Sequence, residues 1–507
     1  MSKSREIKIN RRHHSSIAVS YSLEMHNCAR VNYQKKLMQL RVKFLMEFNS
    51  VPIFIRRICI GTSVICLRST VQLLYPKPGY VEIDPDELWR TIVKVMKDTL
   101  QVKPELVACL GISTQRGSFT TWNLKDGRHY HNFITWKDLR ADAMVKEWNA
   151  ALTMKGLRIG SQILYTLTRK KRYLAASVFK FMNTQMTLRL LWALQHVPEL
   201  SRESTLQAKH VTDVSSASAT GLFDPFTMSW SSVMINLLKI PNNIFPEVLD
   251  TAGDFGVTPK EIFGVEIPIL CSMADQSASL FGSGCTEPGD LKITMGTGTF
   301  LNVNTGTKPH ASITGLYPLV GWRIRDELVY VVEGASNDTG VLVEWAKNIG
   351  SYFSPSIASA VDDSDGVYFV PAFSGLQAPI NDYSAATGFI GIKPTTEKSH
   401  IVRSLLESIV YRVLLLYETL CAETCFTYHT IRVDGGVSTN NFVLQLLADL
   451  TGLQVERATT TEMSILGVAY LGRRSQFLPC AELEEKNKMS RGEARLENLK
   501  PGNPSGS

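Results

Sequence analysis

Two short pieces of the stretch from Ile267 to Gly306 carry residues suited to chemistry. The first is Asp275-Gln276, which follows the apolar run Ile267–Leu270 and precedes a short helical pattern. A carboxylate at a strand end can act as general base toward a hydroxyl that is otherwise a poor nucleophile. The second is the turn Gly296-Thr297-Gly298, entered from Leu291–Thr294 and left through Phe300–Asn304. Glycines in such a turn let backbone N–H groups approach a phosphate closely. The same residues would also make an ordinary helix cap followed by a hairpin, so their surroundings must decide.

The surrounding elements alternate between strand and helix, which gives an α/β class. Arg56–Leu67 reads as a strand broken at Gly61-Thr62-Ser63. Asp84 is placed to cap a helix with Pro85 at its first position and Glu87 closing a capping box. Leu88, Ile92, Met96 and Leu100 then recur at the spacing of a core-facing stripe. Leu106–Ser113 reads as a strand with Gln115-Arg116 at its C-terminal end, where ligands of α/β proteins gather. The segment TWKDLR follows over 135–140. Residues 141–200 read as helical, and Arg169, Lys170, Lys171 and Arg172 as a solvated face. Val211–Pro225 reads as a loop. Later come a strand at Leu328–Glu333 and a helix starting at Asp338-Thr339-Gly340. A long helix is expected from a cap at Thr395. A strand at Thr430–Val433 stops at Asp434-Gly435-Gly436, before a helix from about Asn441.

Composition narrows the class further. With 44% hydrophobic and 20% charged residues the chain reads as globular, and no apolar run approaches the ~20 residues that span a bilayer. The net charge of +7 comes from residues 1–57, which carry 12 Lys/Arg against three Glu and leave the remainder slightly acidic. A basic arm on a near-neutral body does not describe a nucleic-acid groove. The nine cysteines are scattered without zinc spacing and read as reduced thiols in a cytoplasmic setting. The expected division is a basic arm over 1–55, an α/β domain over 56–285, a second over 286–475, and a frayed tail over 476–507.

Eight segments taken in order resemble the FGGY family of carbohydrate kinases, its glycerol kinase branch most closely. They are GYVEIDPDELW (79–89), GISTQR (111–116), HVTDVSSASATGLFD (210–224), ADQSASLFG (274–282), MGTGTF (295–300), VPAFSGLQAP (370–379), GFIGI with HIVRSLLESI (388–409) and RVDGGVSTNNF (432–442). The resemblance implies an actin-like, RNase H-like ATPase fold, with two α/β domains around a central cleft. It implies transfer of the γ-phosphoryl of ATP, with Mg²⁺, to a polyol hydroxyl, most closely that of glycerol. Asp275 would be the catalytic base. Arg116, Gln276 and Phe300 would join it in binding the substrate. Thr62, Ser63, Gly296, Thr297, Gly298, Gly340, Glu344, Gly436 and Asn440 would contact the nucleotide, and no residue is assigned as a metal ligand. The implied partner is a small-molecule polyol, with no nucleic acid and no transmembrane segment; a homo-oligomer is compatible with the family.

The chain also departs from the family pattern. Cys59 stands where an aspartate that helps hold Mg²⁺ is expected, and a neutral thiol is a poor ligand for a hard cation. Gly117 replaces a substrate-binding glutamate, and Glu344 replaces an amide. A tyrosine of the substrate site has no clear counterpart over Met182–Leu191. A segment is absent between Leu200 and His210, and the last helix looks clipped after Leu471. Two alternatives therefore stand beside an active glycerol kinase. One is a catalytically impaired, nucleotide-binding relative that acts by interaction. The other is a kinase for another sugar or polyol.

Overall fold

The computed structural model describes residues 14–23, 40–47, 56–57, 64–65, 69, 71–99, 107, 109–123, 127–201, 210–349, 355–458, 460–477 and 496–499. Cys59, Thr62 and Ser63 lie outside the described residues, between the paired short strands Arg56–Arg57 and Val64–Ile65.

In the first half, helix α1 (Pro85–Thr99) begins where Asp84 Oδ1 accepts from the N–H groups of Asp86 and Glu87, at 2.8 and 3.2 Å. That cap satisfies donors that have no partner within the helix. Leu88, Ile92, Val95 and Met96 are buried against Leu110, Phe263 and Ile267. Strand β1 (Leu110–Thr114) ends just before Gln115 and Arg116. The Ser- and Ala-rich stretch expected as a loop instead contains a short buried helix, α2 (Val214–Ser218). Asp213 caps it, accepting from the N–H groups of Ser215 at 2.8 Å and Ser216 at 3.2 Å. Strand β2 (Ile269–Ala274) pairs parallel with β1, and its end turns directly into helix α3 (Asp275–Gly282).

The second half is built on one seven-stranded sheet. Its strands are β3 (Leu291–Met295), β4 (Thr299–Gly306), β5 (Tyr317–Ile324), β6 (Glu327–Ser336), β7 (Thr430–Asp434), β8 (Gln454–Ala458) and β9 (Leu496–Leu499), in the order β5-β6-β4-β3-β7-β8-β9. Only β3–β7 and β7–β8 are parallel pairs. Helices α4 (Gly340–Ile349), α5 (Lys398–Glu423) and α6 (Asn441–Thr451) flank the sheet. Ile293, Val303, Ile431 and Val433 of the strands pack with Leu405, Ile409, Val413, Val443 and Leu447 of the helices in one buried cluster. Helix α5 starts later than expected: Glu397, not Thr395, is its cap, with His400 completing a capping box. The frayed tail needs the same correction at one point, because Leu496–Leu499 forms an edge strand antiparallel to β8.

The two halves meet where helix α7 (Met463–Phe477) packs on α3 and β2. This helix continues past Leu471 rather than stopping there. Its Gly467 lies so close to α3 that a Cβ there would stand 1.8 Å from the Ala278 carbonyl oxygen. Only glycine permits that approach, and it fixes the helix that begins at Asp275.

Candidate active site

Asp275 sits at the junction of β2 and α3 and is 6% exposed. Its Oδ1 accepts from the Gln276 N–H at 2.7 Å and from Arg116 Nε at 3.2 Å. Its Oδ2 has no hydrogen-bond partner among the described residues. Burial raises the Asp275 pKa, and Arg116 offsets only part of that rise. The result is a carboxylate with one oxygen held and the other available, and with more affinity for a proton than an exposed aspartate has.

Arg116 comes to Asp275 from the end of β1. Its Nη2 donates to Glu333 Oε1 at 2.8 Å, and its guanidinium lies 5.4 Å from the centre of the Phe300 ring. Glu333 is fully buried in β6 and also accepts from the Tyr317 hydroxyl at 2.6 Å. Burial alone would lower the Arg116 pKa, but Glu333 and Asp275 outweigh it and the guanidinium stays charged. The Tyr317 hydroxyl is raised well above its ordinary value by burial and by Glu333. Strands β4, β5 and β6 of the second half thus supply Phe300, Tyr317 and Glu333 to an arginine of the first.

Trp136 extends this wall, its ring edge-on to Phe300 at 6.1 Å. Buried Arg189 holds the Trp136 segment in place by donating to the carbonyls of Thr135, Asn183 and Thr184. Gly117 belongs to the same packing. Its φ is +73°, and a Cβ there would stand 2.5 Å from the Thr184 carbonyl oxygen. The backbone of Thr184 therefore fills the space into which a side chain at 117 would have to grow.

Two cavities open on either side of Trp136. One, of about 940 Å³, is lined by Arg116, Asp275, Phe300 and Glu333 and runs on toward Phe179, Met234 and Ile313. The other, of about 950 Å³, gathers Gly296, Thr297, Gly340, Glu344, Gly436 and Asn440. Both are of the size that encloses small-molecule ligands. The carbonyls of Gly296 and Thr297 accept from the Gly340 N–H, at 3.0 and 2.9 Å, which docks the turn on the start of α4. Gly298 is turned inward, and a Cβ there would meet the Ser336 carbonyl oxygen at 2.9 Å. Gly436 faces open space, with nothing within 4 Å of a Cβ, so its backbone is bare toward the cavity. Asn440 caps α6 through its Oδ1 while also lining the cavity. Glu344 is half-exposed, 3.9 Å from Lys347 on the same helix.

Of the residues read from the sequence for the acceptor, Arg116, Asp275 and Phe300 come together on one cavity. Gln276 is buried beside them without lining it, and its Oε1 has no partner among the described residues. Six of the nucleotide residues share the other cavity, and Gly298 stands behind them. Glu333, Tyr317, Trp136, Lys137 and Asp338 had no assigned part. A glutamate inside the apolar run of β6 was the available signal, since a buried carboxylate needs a partner.

Known proteins resemble this chain over most of its length. Residues 61–282 match the N-terminal domain of the FGGY family of carbohydrate kinases, and residues 291–475 match its C-terminal domain. The chain is 47% identical to Glycerol kinase 5 of Danio rerio over 79% of its length and 80% of that protein. It is 35% identical to Glycerol kinase 2 of Thermotoga maritima over 81% of its length and 85% of that protein. Its fold matches the crystal structure of Plasmodium falciparum glycerol kinase with ADP at a TM-score of 0.75 and 24% identity, covering 96% of this chain and 94% of that one.

Proposed function

We infer the reaction from one premise: the chain belongs to the FGGY family of carbohydrate kinases. It is a phosphotransferase with an alcohol group as acceptor, using ATP as donor and glycerol as the acceptor to which the names of its relatives point. The observation that carries this reading is the Asp275 carboxylate, held at one oxygen by Arg116 and free at the other, on a cavity next to the Gly296–Thr297 turn.

Asp275 Oδ2 takes the proton of the attacking hydroxyl. Arg116 fixes the carboxylate and offers its remaining N–H groups to the acceptor's other hydroxyls. Phe300 and Trp136 close the wall against water. On the other side, bare backbone at Gly436 accepts the nucleoside, and the Gly296–Thr297 turn meets the phosphates. Such a transfer asks the protein chiefly for positioning and electrostatic stabilisation. Magnesium would enter this site with the nucleotide, since Mg²⁺ is commonly bound by one or two carboxylates together with substrate phosphates. When bound it would neutralise charge on the transferring group.

The size and apolar depth of the acceptor cavity, with Gly117 in place of a hydrogen-bonding side chain, favour a second reading in which a larger polyol is preferred. One experiment separates the two. ADP release by the purified full chain is followed with Mg-ATP and a panel of glycerol, pentitols and ketopentoses. Glycerol as best acceptor supports the first reading, and a larger polyol as best acceptor the second. No acceptor-dependent release would overturn both.

A further inference from the structure

We propose that Lys137 binds the terminal phosphate of a nucleoside triphosphate, reaching it from the acceptor-side wall of the cleft. The inference rests on the kinase reading and adds a residue to it. Lys137 directly follows Trp136, the ring that stands between the two cavities and meets Phe300. Its side chain lines the nucleotide cavity together with Gly296 and Thr297.

Among the described residues no anion pairs with the ammonium and it makes no hydrogen bond. It lies over the face of Trp136, 5.2 Å from the ring centre. The carboxylate that influences it is Asp338, whose oxygens accept from the Ser374 N–H at 2.7 Å and the Ser374 hydroxyl at 2.9 Å. Burial pushes the Lys137 pKa down to about 8, and Asp338 makes up only part of the loss. A half-buried cation without an ion-pair partner gains little from folding. Its presence is accounted for by an anion that arrives with the substrate.

The cavity identifies that anion. Gly436 and Asn440 mark the end where bare backbone can take a nucleoside. Thr297, Trp136 and Lys137 mark the end that adjoins Asp275. A phosphoryl group destined for a hydroxyl at Asp275 must lie at this second end, so Lys137 faces the group that ATP has and ADP lacks. A lysine suits the task as a compact point charge. It would also stay near the phosphoryl as charge spreads over its oxygens in the transition state.

The test measures ATP and ADP binding by titration calorimetry, without acceptor, on the wild-type chain and on Lys137→Met, Lys137→Gln and Lys137→Arg. The Met and Gln variants should lose about tenfold in ATP affinity, the scale of one charge-assisted contact, while ADP affinity stays within about twofold. Lys137→Arg should keep most of the ATP affinity. The melting temperature of ligand-free Lys137→Met should equal or exceed that of the wild type, because an unpartnered charge has been removed. Equal losses for ATP and ADP would reduce Lys137 to a residue that shapes the cavity and overturn the proposal. Unchanged ATP binding in Lys137→Met would overturn it while leaving the kinase reading in place. A wild-type chain that binds neither nucleotide would remove both.

Discussion

Replacing Asp275 by asparagine separates catalysis from binding. The substitution keeps the shape of the side chain and a carbonyl-type oxygen that can accept from the Gln276 N–H, now 2.7 Å away. It removes the base and one of the two anions on Arg116, leaving Glu333 at 2.8 Å. Positioned general bases contribute about 10²–10⁴-fold to rate. At about 1.4 kcal/mol per decade, the barrier should rise by roughly 3–5 kcal/mol. ATP affinity should hold, because Asp275 lines the acceptor cavity and not the nucleotide cavity. The fold should hold as well. Burial raises the Asp275 pKa above the ordinary 3.8, so its ionised form is the one that opposes folding, and a neutral amide relieves that. The sign follows directly: this carboxyl stabilises the fold below its unfolded pKa and loses that contribution as pH rises through its folded value. For catalysis the direction is opposite, since the base works deprotonated, and wild-type kcat should fall as pH drops through a limb above 3.8. The assay is ADP release with glycerol and Mg-ATP, beside calorimetric ATP binding and thermal melting of both proteins. A kcat within about threefold of wild type would refute the assignment of the base. Parallel loss of ATP binding would refute the separation of the two cavities.

Three other substitutions test the frame around Asp275. Glu333→Gln takes the nearer of the two anions from Arg116 and leaves Asp275 opposite, and should destabilise the chain by about 1.5–3 kcal/mol in urea unfolding, the scale of a hydrogen bond to a charged group. Gly117→Glu, which restores the residue the family pattern expects, should not improve KM for glycerol. A side chain there must displace the Thr184 carbonyl from a backbone at φ +73°, so a lowered melting temperature is the expected outcome. Gly436→Val should melt like the wild type yet weaken ADP binding at least about tenfold in calorimetry, because its side chain enters open cavity rather than packed protein.

Local pattern made much of the second half legible. Thr430–Asp434, the glycines after it and the helix from Asn441 follow from strand periodicity, a break and a cap, and all stand where expected. Asp275 and the Gly296–Gly298 turn were legible because each sits at a strand end. Residues that act through distant partners were not. Glu333 and Arg116 are 217 positions apart, and nothing in the alternation of β6 names its partner. Lys292 posed the same difficulty: a lysine within the apolar β3 pairs at 2.8 Å with Asp434 on the neighbouring parallel strand. The helix at Val214–Ser218 was hidden because Ser and Ala at that density resemble a loop, and burial against β5 decides otherwise. The Asp213 cap was its one local sign. The consequence of Gly117 also lay beyond the sequence, since the missing carboxylate is a matter of side chain, but the space it would need is taken by backbone.

The central claim is that Asp275 and the two adjoining cavities move a phosphoryl group from ATP to a polyol. It is tested most directly by incubating the purified full chain with γ-³²P-labelled Mg-ATP and glycerol and resolving the products. Label appearing in glycerol 3-phosphate in step with ADP, and absent with Asp275→Asn, is the predicted result. ADP formed with its label released only as inorganic phosphate, or equal labelling of glycerol by the Asp275→Asn variant, would contradict it.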